Sequence, residues 1–305
     1  MAKQGKLQIT IEYLGARVIF ALLSQLPLPT AMTVGRGIAR LAYLLAGRLR
    51  RTGQRNLELA FPEKTEEERR AILLGCFRSL GRELGFFSKF STASPEKLRS
   101  YFNTTGLERL ERAKTESHGL ILFTAHLGAW ELTSFGLSLI GHPVSFLVRR
   151  LDNPKVEHIV DRARTRFGNR TIDKLSAARE MVKILRSAEV LGLLIDLNTL
   201  DEEAIFVDFF GVPASTNFMV AKLALRNNTQ IVPIFAPWDE TQKKYSLVIE
   251  PVIHPEVTGD EEADIRRLTT VLSQVVEGAI RRFPDQWLWI HRRWKTRPPG
   301  EPGIY

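Results

Sequence analysis

A histidine and a glutamate stand where an apolar segment ends, in the stretch LILFTAHLGAWELTS at residues 120–134. His126 follows a strand-like run, and Glu131 falls within a helix-like segment. Residues five apart on one continuous helix point about 140° away from each other, so the side chains meet only if His126 ends a strand and Glu131 begins a helix. A carboxylate bonded to one imidazole nitrogen leaves the other nitrogen as a general base. The pair therefore predicts a base that activates a hydroxyl group of a substrate.

Other interpretations of these two residues stay open. A lone histidine at a strand end is more often structural, and the bare H-x4-E spacing occurs in many sequences by chance. One histidine and one carboxylate also lack the third protein ligand of a catalytic zinc site. The sequence has no G-x-S-x-G elbow, H-E-x-x-H motif or P-loop. Its single cysteine, Cys76, excludes a disulfide within the chain and a thiolate-based zinc site. We therefore expect the nucleophile to come from a substrate.

Apolar strand-like runs alternate with helix-like segments over most of the chain. The strand-like runs are residues 119–125, 143–149, 189–196, 204–210, 230–235 and 245–253. Helical periodicity marks residues 127–140, 153–167, 175–187, 216–227 and 260–282. Upstream, Thr65 and Glu68 form a capping-box pattern, and short helices are expected over 94–115. The alternation predicts an α/β fold with a mostly parallel central sheet flanked by helices.

Ligands of such sheets bind beyond the carboxyl ends of the strands. Four polar or charged side chains directly follow predicted strands: His126, Arg149, Arg150 and Asp196. Because the carboxyl ends of parallel strands meet at one edge, we expect these four groups to gather at one rim of the sheet.

The net charge of +9 is concentrated at the two ends of the chain. Residues 1–60 hold nine Lys/Arg against two acidic residues, and residues 281–305 hold six against two. Basic arms on a neutral body are compatible with a nucleic-acid binder. However, long apolar runs interleave the first basic block, a pattern that suits the anionic inner face of a bilayer.

Residues 18–35 form an uncharged run of 18 residues, near the minimum length of a transmembrane helix. Two prolines interrupt this run, so we expect a helix in the membrane interface rather than a span. A buried helical hairpin is the alternative, and a cleavable signal peptide is disfavoured because no small-residue cleavage site follows a compact apolar core. The expected organisation is an N-terminal membrane-associating helical segment at residues 1–47 and one α/β domain at residues 48–305.

TAHLGAWE resembles the H-x4-[D/E] block of the lysophospholipid acyltransferase superfamily. In particular, it resembles the late acyltransferases of lipid A biosynthesis, of the lauroyl/myristoyl type. Further blocks resemble that family in the same order: the apolar N-terminus, RNLELAFPEKTEEER, FLVRRLDNP, GLLIDLNTLDEEAIFVDFFGVPAST, IVPIF and PDQWLWIHRRWKTRP. Together they extend from about residue 8 to residue 298. The F-P-E-G-T-R block of glycerol-phosphate acyltransferases is missing, which argues against a simple glycerolipid acceptor.

The resemblance implies an O-acyltransferase whose histidine deprotonates an acceptor hydroxyl while the acidic residue orients the histidine. The hydroxyl then attacks the thioester of an acyl carrier protein, without a metal, a cofactor or a covalent acyl-enzyme. The catalytic pair is then His126 and Glu131. The oxyanion formed by this attack needs hydrogen-bond donors, and we expect them among the backbone amides at the helix start after His126.

Five further residues are expected to bind substrate: Arg149, Asn153, Asp196, Ser215 and Thr216. Arg149 stands where the family has an arginine before its L-D-N-P element, which implies a contact with phosphate groups of the acceptor or donor. A surface salt bridge is the alternative for Arg149. Helix capping is a sufficient structural explanation of Asn153 and an equal alternative for the two hydroxyls. Leu197 departs from the polar residue frequent in the family, which puts a hydrogen bond from that position in doubt.

The C-terminal stretch WLWIHRRWK mixes three tryptophans with basic residues and His291. Such a patch stacks on bases in nucleic-acid binders and equally suits the headgroup level of a bilayer. Given the family blocks, we expect it to contact the membrane or the carrier protein.

We therefore expect an acyltransferase at the cytoplasmic face of the inner membrane. It would move a fatty acyl chain from acyl carrier protein to a hydroxyl of a lipid A precursor. The expected partners are acyl carrier protein, a glycolipid acceptor and the anionic inner membrane, with no nucleic acid. The alternatives are an acyl-CoA-dependent transferase acting on another glycolipid or lysophospholipid, such as a phosphatidylinositol mannoside, and a non-catalytic lipid-binding protein that keeps the fold.

Overall fold

The computed structural model describes residues 5–173, 177–200 and 204–305. Its helices are α1 (Lys6–Gln25), α2 (Leu28–Leu45), α3 (Gly47–Ala60), α4 (Glu66–Phe87), α5 (Pro95–Arg99), α6 (Leu107–Glu116), α7 (Trp130–Leu139), α8 (Pro154–Arg164), α9 (Ala177–Arg186), α10 (Met219–Asn227) and α11 (Glu261–Arg282). Its strands are β1 (Phe102–Thr105), β2 (Leu120–Thr124), β3 (Ser145–Val148), β4 (Arg170–Asp173), β5 (Val190–Leu194), β6 (Ala204–Phe209), β7 (Val212–Asn217), β8 (Ile231–Phe235), β9 (Trp238–Asp239) and β10 (Lys244–Ile249).

The central sheet has the strand order β1-β10-β8-β2-β5-β3-β4, with β9 paired to β10. Most neighbours are parallel, and β10 runs antiparallel to β8 and β9. Both faces of β2 are buried, as parallel sheets require. Ile121 and Phe123 pack into the core shared with α9, α10 and α11, whereas Leu120 and Leu122 pack into the core shared with α7. The predicted α/β fold with a mostly parallel sheet is confirmed.

The predicted alternation of elements is confirmed, but β4 and β7 were not predicted, and residues 216–217 of the predicted helix 216–227 belong to β7. Two further segments also differ from the prediction. The run 204–210 contains β6, but β6 pairs antiparallel with β7 in a separate two-stranded sheet. The segment 94–115, for which only helices were expected, holds β1 between α5 and α6. That expectation was wrong because β1 is fixed by parallel pairing with β10, about 140 residues away in the chain. Residues 175 and 176 of one predicted helix lie outside the described residues.

Two helices of the N-terminal region, α2 and α4, approach each other at glycines. A Cβ added to Gly35 would lie 2.0 Å from the backbone oxygen of Gly81. One added to Gly85 would lie 2.6 Å from the backbone of Ala31. Only glycine permits two helix backbones to come this close. Helix α4 itself begins with the predicted capping box, in which Thr65 accepts from the Glu68 backbone and Glu68 accepts from the Thr65 backbone.

Helix α1 is attached to the body near both of its ends. The side-chain amide of Asn153 donates to the backbone oxygen of Ile9 at 2.8 Å. The buried Lys89 ammonium donates to the carbonyl oxygen of Leu23 at 2.7 Å and also to that of Leu26, which satisfies carbonyls that a helix end leaves free. By length and composition, residues 7–25 also suffice to cross a membrane. The outer face of α1 exposes large apolar side chains: Leu7, Ile11, Leu14, Val18 and Leu22.

The C-terminal tryptophans belong to the core. Trp287, Trp289 and Trp294 are each 0% exposed, so the expectation that they contact a membrane or a carrier protein is wrong. Trp287 and Trp294 both pack on Phe209 of β6. Local composition misleads here because tryptophan serves equally well in cores and at interfaces. The stretch fastens the β6–β7 hairpin to the central sheet.

We predict that Gly35→Ala lowers the free energy of unfolding by about 1–3 kcal/mol, the usual cost of overpacking. The new methyl group would collide with the Gly81 backbone and push α2 away from α4. Gly37→Ala is the matched control on the same helix, since a Cβ there meets nothing within 4 Å. Alanine at that helical position should raise stability by about 0.5–1 kcal/mol. Thermal unfolding of both variants in detergent, followed by circular dichroism, tests this, and equal midpoints would contradict it.

Candidate active site

The site lies at the carboxyl ends of the parallel strands β2, β3 and β5. His126 follows β2 after one residue, Arg149 directly follows β3, and Asp196 follows β5 after one residue. Leu127 forms an isolated bridge with Trp287, and the Leu288 backbone N–H donates to the His126 carbonyl at 3.0 Å. The C-terminal segment therefore covers the rim where the strands end.

His126 and Asp196 form a buried pair. The Nδ1–H group of His126 donates to Asp196 Oδ1 at 2.8 Å, and the His126 backbone N–H donates to Asp196 Oδ2 at 2.9 Å. The indole N–H of Trp287 donates to the same Oδ2 at 2.8 Å. A carboxylate only accepts hydrogen bonds, so the neutral imidazole carries its proton on Nδ1. The other nitrogen, Nε2, is left with a free lone pair, as a general base requires.

Each residue of this pair shifts the pKa of the other toward the charged form. Burial alone raises the pKa of Asp196, but the attraction of His126 and the hydrogen bonds from His126 and Trp287 outweigh burial, so this pKa lies below its ordinary value. Burial alone lowers the pKa of His126, yet Asp196 and, more weakly, Glu131 bring that pKa above its ordinary value. Asp196 therefore stays ionised and stabilises the imidazolium that forms when Nε2 accepts a proton.

Glu131 does not orient His126 in the way the sequence predicted. Its carboxylate accepts two hydrogen bonds from Arg164 at the end of α8, from Nε at 2.9 Å and from the terminal nitrogen at 2.5 Å. The side chains of Glu131 and Arg164 are 14% and 17% exposed. Among the described hydrogen bonds, the carboxylate that reaches the imidazole belongs to Asp196. The negative charge of Glu131 contributes to the raised pKa of His126.

A third carboxyl group lies behind this ion pair. Glu83 on α4 is buried and accepts a hydrogen bond from the backbone N–H of Glu131. Burial, and then repulsion from the Glu131 charge, hold the pKa of Glu83 well above its ordinary value. Both causes favour the protonated carboxyl of Glu83 beside the charged Glu131–Arg164 pair.

His126 stands at the mouth of a cavity of about 670 Å³, within the usual size of a small-molecule pocket. Polar lining residues that are partly or fully exposed mark the mouth: His126, Glu131, Arg149, Arg164, Asn198 and His291. Apolar lining residues that are buried mark the interior: Leu122, Val144, Phe146, Met181, Leu193 and Val220. The cavity therefore suits a ligand with a polar reacting group at the rim and a long apolar tail inside.

The backbone amides expected to stabilise an oxyanion are already occupied. The amide of Gly128 donates to the Gln286 carbonyl at 3.0 Å, and that of Ala129 donates to the Ala236 carbonyl at 2.9 Å. Gly128 has a φ of 60°, a conformation that favours glycine. A Cβ at this position would lie 2.1 Å from the backbone oxygen of Ala236. These two amides build the turn between β2 and α7 and do not face a substrate.

His291 adds a second imidazole to the pocket wall. The Asn198 backbone N–H donates to its Nε2 at 3.2 Å, so the proton of the neutral ring lies on Nδ1. Burial lowers the pKa of His291 to about 4; Asp196 opposes this shift, while His126 and Arg293 increase it. His291 is thus an uncharged N–H donor at neutral pH.

The predicted substrate residues Arg149 and Asn153 differ in their position relative to the pocket. Arg149 lines the pocket mouth, and its side chain is 75% exposed with only a 3.4 Å contact to Asp152. Exposed pairs of this kind contribute little, so this guanidinium is accessible to an anion. Asn153 is absent from the described pocket lining. It caps α8 by accepting from the backbone N–H groups of Lys155 and Val156.

The two predicted hydroxyls lie on β7 and are also absent from the described lining of the pocket. Ser215 donates to the Thr199 carbonyl at 2.7 Å, and Thr216 accepts from the buried Arg293 at 2.6 Å. Neither hydroxyl caps α10; the Asn217 side chain accepts from the backbone N–H of Met219 at 2.7 Å instead. The Thr216 hydroxyl thus binds the hairpin to the C-terminal segment, and the Ser215 hydroxyl binds it to the stretch after β5.

Arg164, Trp287 and His291 are site residues that the sequence did not single out for these roles. Their contacts span 33 residues for Arg164–Glu131, 91 for Trp287–Asp196 and 93 for His291–Asn198. No local pattern reports contacts of that range. Only the rule that strand ends gather at one rim pointed toward Asp196.

The chain matches the family described as bacterial lipid A biosynthesis acyltransferase over residues 2–296. The lipid A biosynthesis lauroyltransferase of Escherichia coli strain K12 is 29% identical over 97% of this chain and 94% of that protein. The palmitoleoyltransferase of the same organism is 28% identical over 92% and 90%. The lipid A biosynthesis myristoyltransferase of Escherichia coli strain K12 is 26% identical over 87% of this chain and 81% of that protein.

We predict that Asp196→Asn lowers the maximal turnover about 1,000- to 10,000-fold, because the amide neither fixes the Nδ1–H tautomer nor stabilises the imidazolium. A base must be neutral, so the rate rises with pH through the His126 pKa. Loss of the carboxylate lowers this pKa, and the acidic limb of the pH–rate profile should move to lower pH. Asp208→Asn, at an exposed position on β6, is the control. An acidic limb that does not move in the Asp196 variant would refute the assignment.

Proposed function

The chain belongs to the bacterial lipid A biosynthesis acyltransferase family, and we propose that it moves a fatty acyl chain from acyl carrier protein to a hydroxyl of a lipid A precursor. The observation that carries this proposal is the His126–Asp196 pair at the mouth of a deep apolar cavity. The pair supplies a base for a hydroxyl, and the cavity supplies room for an acyl chain. Neither feature alone distinguishes an acyltransferase from a lipid-binding protein.

The transfer begins when Nε2 of His126 takes the proton of the acceptor hydroxyl. The hydroxyl oxygen attacks the carbonyl carbon of the thioester, and a C–O bond forms. The tetrahedral intermediate then collapses, the C–S bond breaks, and the thiol of the carrier leaves with the proton from the imidazolium. Asp196 stays ionised throughout and stabilises the positive ring. The product is an acyloxyacyl ester when the acceptor hydroxyl belongs to an acyl chain.

The negative oxygen of the intermediate needs a donor that is fixed in advance. The amides of the turn after His126 are engaged with backbone carbonyls. His291 lines the same pocket and keeps an uncharged Nδ1–H group. We assign the oxyanion to this N–H group, because a neutral imidazole donates without competing with His126 for the proton.

Glu131 has a different role from the one its spacing suggested. Its charge raises the affinity of His126 for a proton, and its carboxylate holds Arg164 at the pocket wall. Arg149, exposed at the rim, is the better placed cation for phosphate groups of the acceptor or of the donor's phosphopantetheine. Glu131 and Arg149 therefore set charge and position around the reacting atoms, while His126 performs the proton transfer.

The N-terminal segment associates with the cytoplasmic face of the inner membrane in this proposal. The exposed apolar face of α1 continues on α2, with Val34, Ile38, Leu41 and Leu45. Hydrogen bonds from Asn153 and Lys89 hold helix α1 on the body, which supports a helix that lies in the interface together with the body. An apolar face flanked by arginines suits a helix that lies in the interface and faces anionic headgroups.

Deleting the gene should remove one discrete acyl mass from lipid A, and replacing it with His126→Ala should have the same effect. Mass spectrometry of lipid A from the wild type, the deletion strain and the variant measures this directly. His118→Ala, at an exposed histidine outside the pocket lining, is the control that restores the wild-type profile. If the deletion leaves lipid A unchanged, the acceptor lies elsewhere in the lipidome, and acyl-CoA-dependent transfer to another glycolipid becomes the better proposal.

Replacing Leu14 and Leu22 together by glutamate should reduce binding to vesicles that contain anionic lipids by at least tenfold. Both side chains lie on the exposed apolar face of α1, and a buried charge costs several kcal/mol at such an interface. Gln8→Glu adds a charge at an exposed polar position of the same helix and serves as the control. Vesicle sedimentation measures the bound fraction, and unchanged binding by the double variant would exclude this face.

A further inference from the structure

The pocket enters the central sheet between β3 and β5. These strands pair only at Ser145–Leu191 and Phe146–Gly192 within the described register. By contrast, β2 pairs with β5 from Leu120–Val190 to Thr124–Leu194. Beyond Phe146, β3 and β5 part toward their carboxyl ends. Leu194 is consequently 37% exposed although β5 is an inner strand of the sheet.

Buried lining residues of the pocket form a row across three strands, at the point where β3 and β5 come together. Leu122 on β2 pairs with Gly192 on β5, and Gly192 pairs with Phe146 on β3. Val144, just before β3, lies beside this row and is 2% exposed. All four line the pocket. We refer to Leu122, Gly192, Phe146 and Val144 as the floor.

The floor residues pack closely around Gly192 because this position has no side chain. A Cβ at this position would lie 2.9 Å from Cγ1 of Val144 and 3.0 Å from Cβ of Phe146. Real Cβ contacts are rarely that short, so an added methyl group must displace one of these two side chains. Both face the cavity, and displacement would bring them into the space above the floor.

The distance from the base to the floor corresponds to a definite chain length. Leu122 precedes His126 by four residues, which in a strand is roughly 13 Å at about 3.3 Å per residue. A saturated chain with C–C bonds of about 1.5 Å advances roughly 1.3 Å per bond. About ten bonds therefore separate a carbonyl carbon at His126 from a methyl group at the floor.

We propose that the floor measures the acyl chain, and that the pocket selects donors of about 10–12 carbons. This inference rests on the proposed function, since it assigns the apolar cavity to the donor's acyl chain. Chains that are too long would press on Val144 and Phe146, and chains that are too short would leave apolar surface without contacts. One methylene too many or too few in such a pocket changes the specificity constant about 10- to 200-fold.

Two substitutions in opposite directions test the floor. Val144→Ala removes side-chain volume at the deep end and should shift the preferred donor about two carbons longer. Gly192→Ala moves Val144 or Phe146 into the cavity and should shift the preference about two carbons shorter. In each case we expect the ratio of specificity constants between neighbouring even-numbered chains to change at least tenfold. The control is Val190→Ala, which shortens a buried side chain on β5 outside the pocket lining.

The experiment uses the full-length protein in detergent with an equimolar mixture of saturated C8 to C16 acyl donors on acyl carrier protein, repeated with the CoA thioesters. Mass spectrometry of the acylated lipid A precursor gives the chain-length profile. A wild type that transfers no chain from either donor would refute the proposed function itself. An active wild type whose profile is unchanged in Val144→Ala would refute the floor alone.

Two further outcomes bear on the floor. A shift of the same size in Val190→Ala would mean that any loosening of β5 changes the profile, which also refutes the floor. If Gly192→Ala does not fold, as judged by its thermal unfolding, the comparison of Val144→Ala with Val190→Ala decides between the two explanations.

Discussion

One buried carboxylate joins three distant parts of the chain. Asp196, after β5, accepts from the ring and the backbone of His126, after β2, and from Trp287 in the C-terminal segment. An ion buried without such partners costs several kcal/mol. The charge is therefore tolerated only when all three segments have come together. The same contacts fix the tautomer that leaves His126 Nε2 free. The interactions that complete the fold therefore also put the histidine into the form that a general base requires.

The remaining charges of the site are arranged to avoid conflict with this pair. Arg164 neutralises Glu131 beside the pocket, and burial raises the pKa of the Glu83 carboxyl behind them. Arg293 is fully buried, and burial lowers its pKa to about 10, which still leaves it charged at neutral pH. Its attraction to Asp196 opposes that shift. In the proposed mechanism, substrates therefore meet one base, His126, one neutral donor, His291, and one exposed arginine, Arg149.

The sequence predicted the elements well and their long-range partners poorly. Periodicity located the inner parallel strands β2, β5 and β8 because each is an apolar, largely buried run, whereas the polar edge strands β1 and β4 gave no such signal. The rule that the carboxyl ends of parallel strands meet at one edge predicted that Asp196 lies near His126. Asp196 was expected there to bind substrate, not to orient the histidine. Glu131 was paired with the histidine because it is close in sequence, whereas its partner Arg164 lies 33 residues away. The three C-terminal tryptophans were expected at the surface, because the composition of a segment does not show whether its side chains are buried. The division of the chain at residue 47 stays a prediction.

The position of the base follows from where the sheet opens. A parallel sheet is covered on both faces, so a long apolar ligand can enter it only where neighbouring strands part. Here β3 and β5 part at their carboxyl ends, the same edge at which His126 and Asp196 stand. A base at the opposite edge would face paired strands and no opening. The parted ends of β3 and β5 thus lie at the same edge as His126, and under the proposed function this opening is where an apolar chain comes within reach of the base.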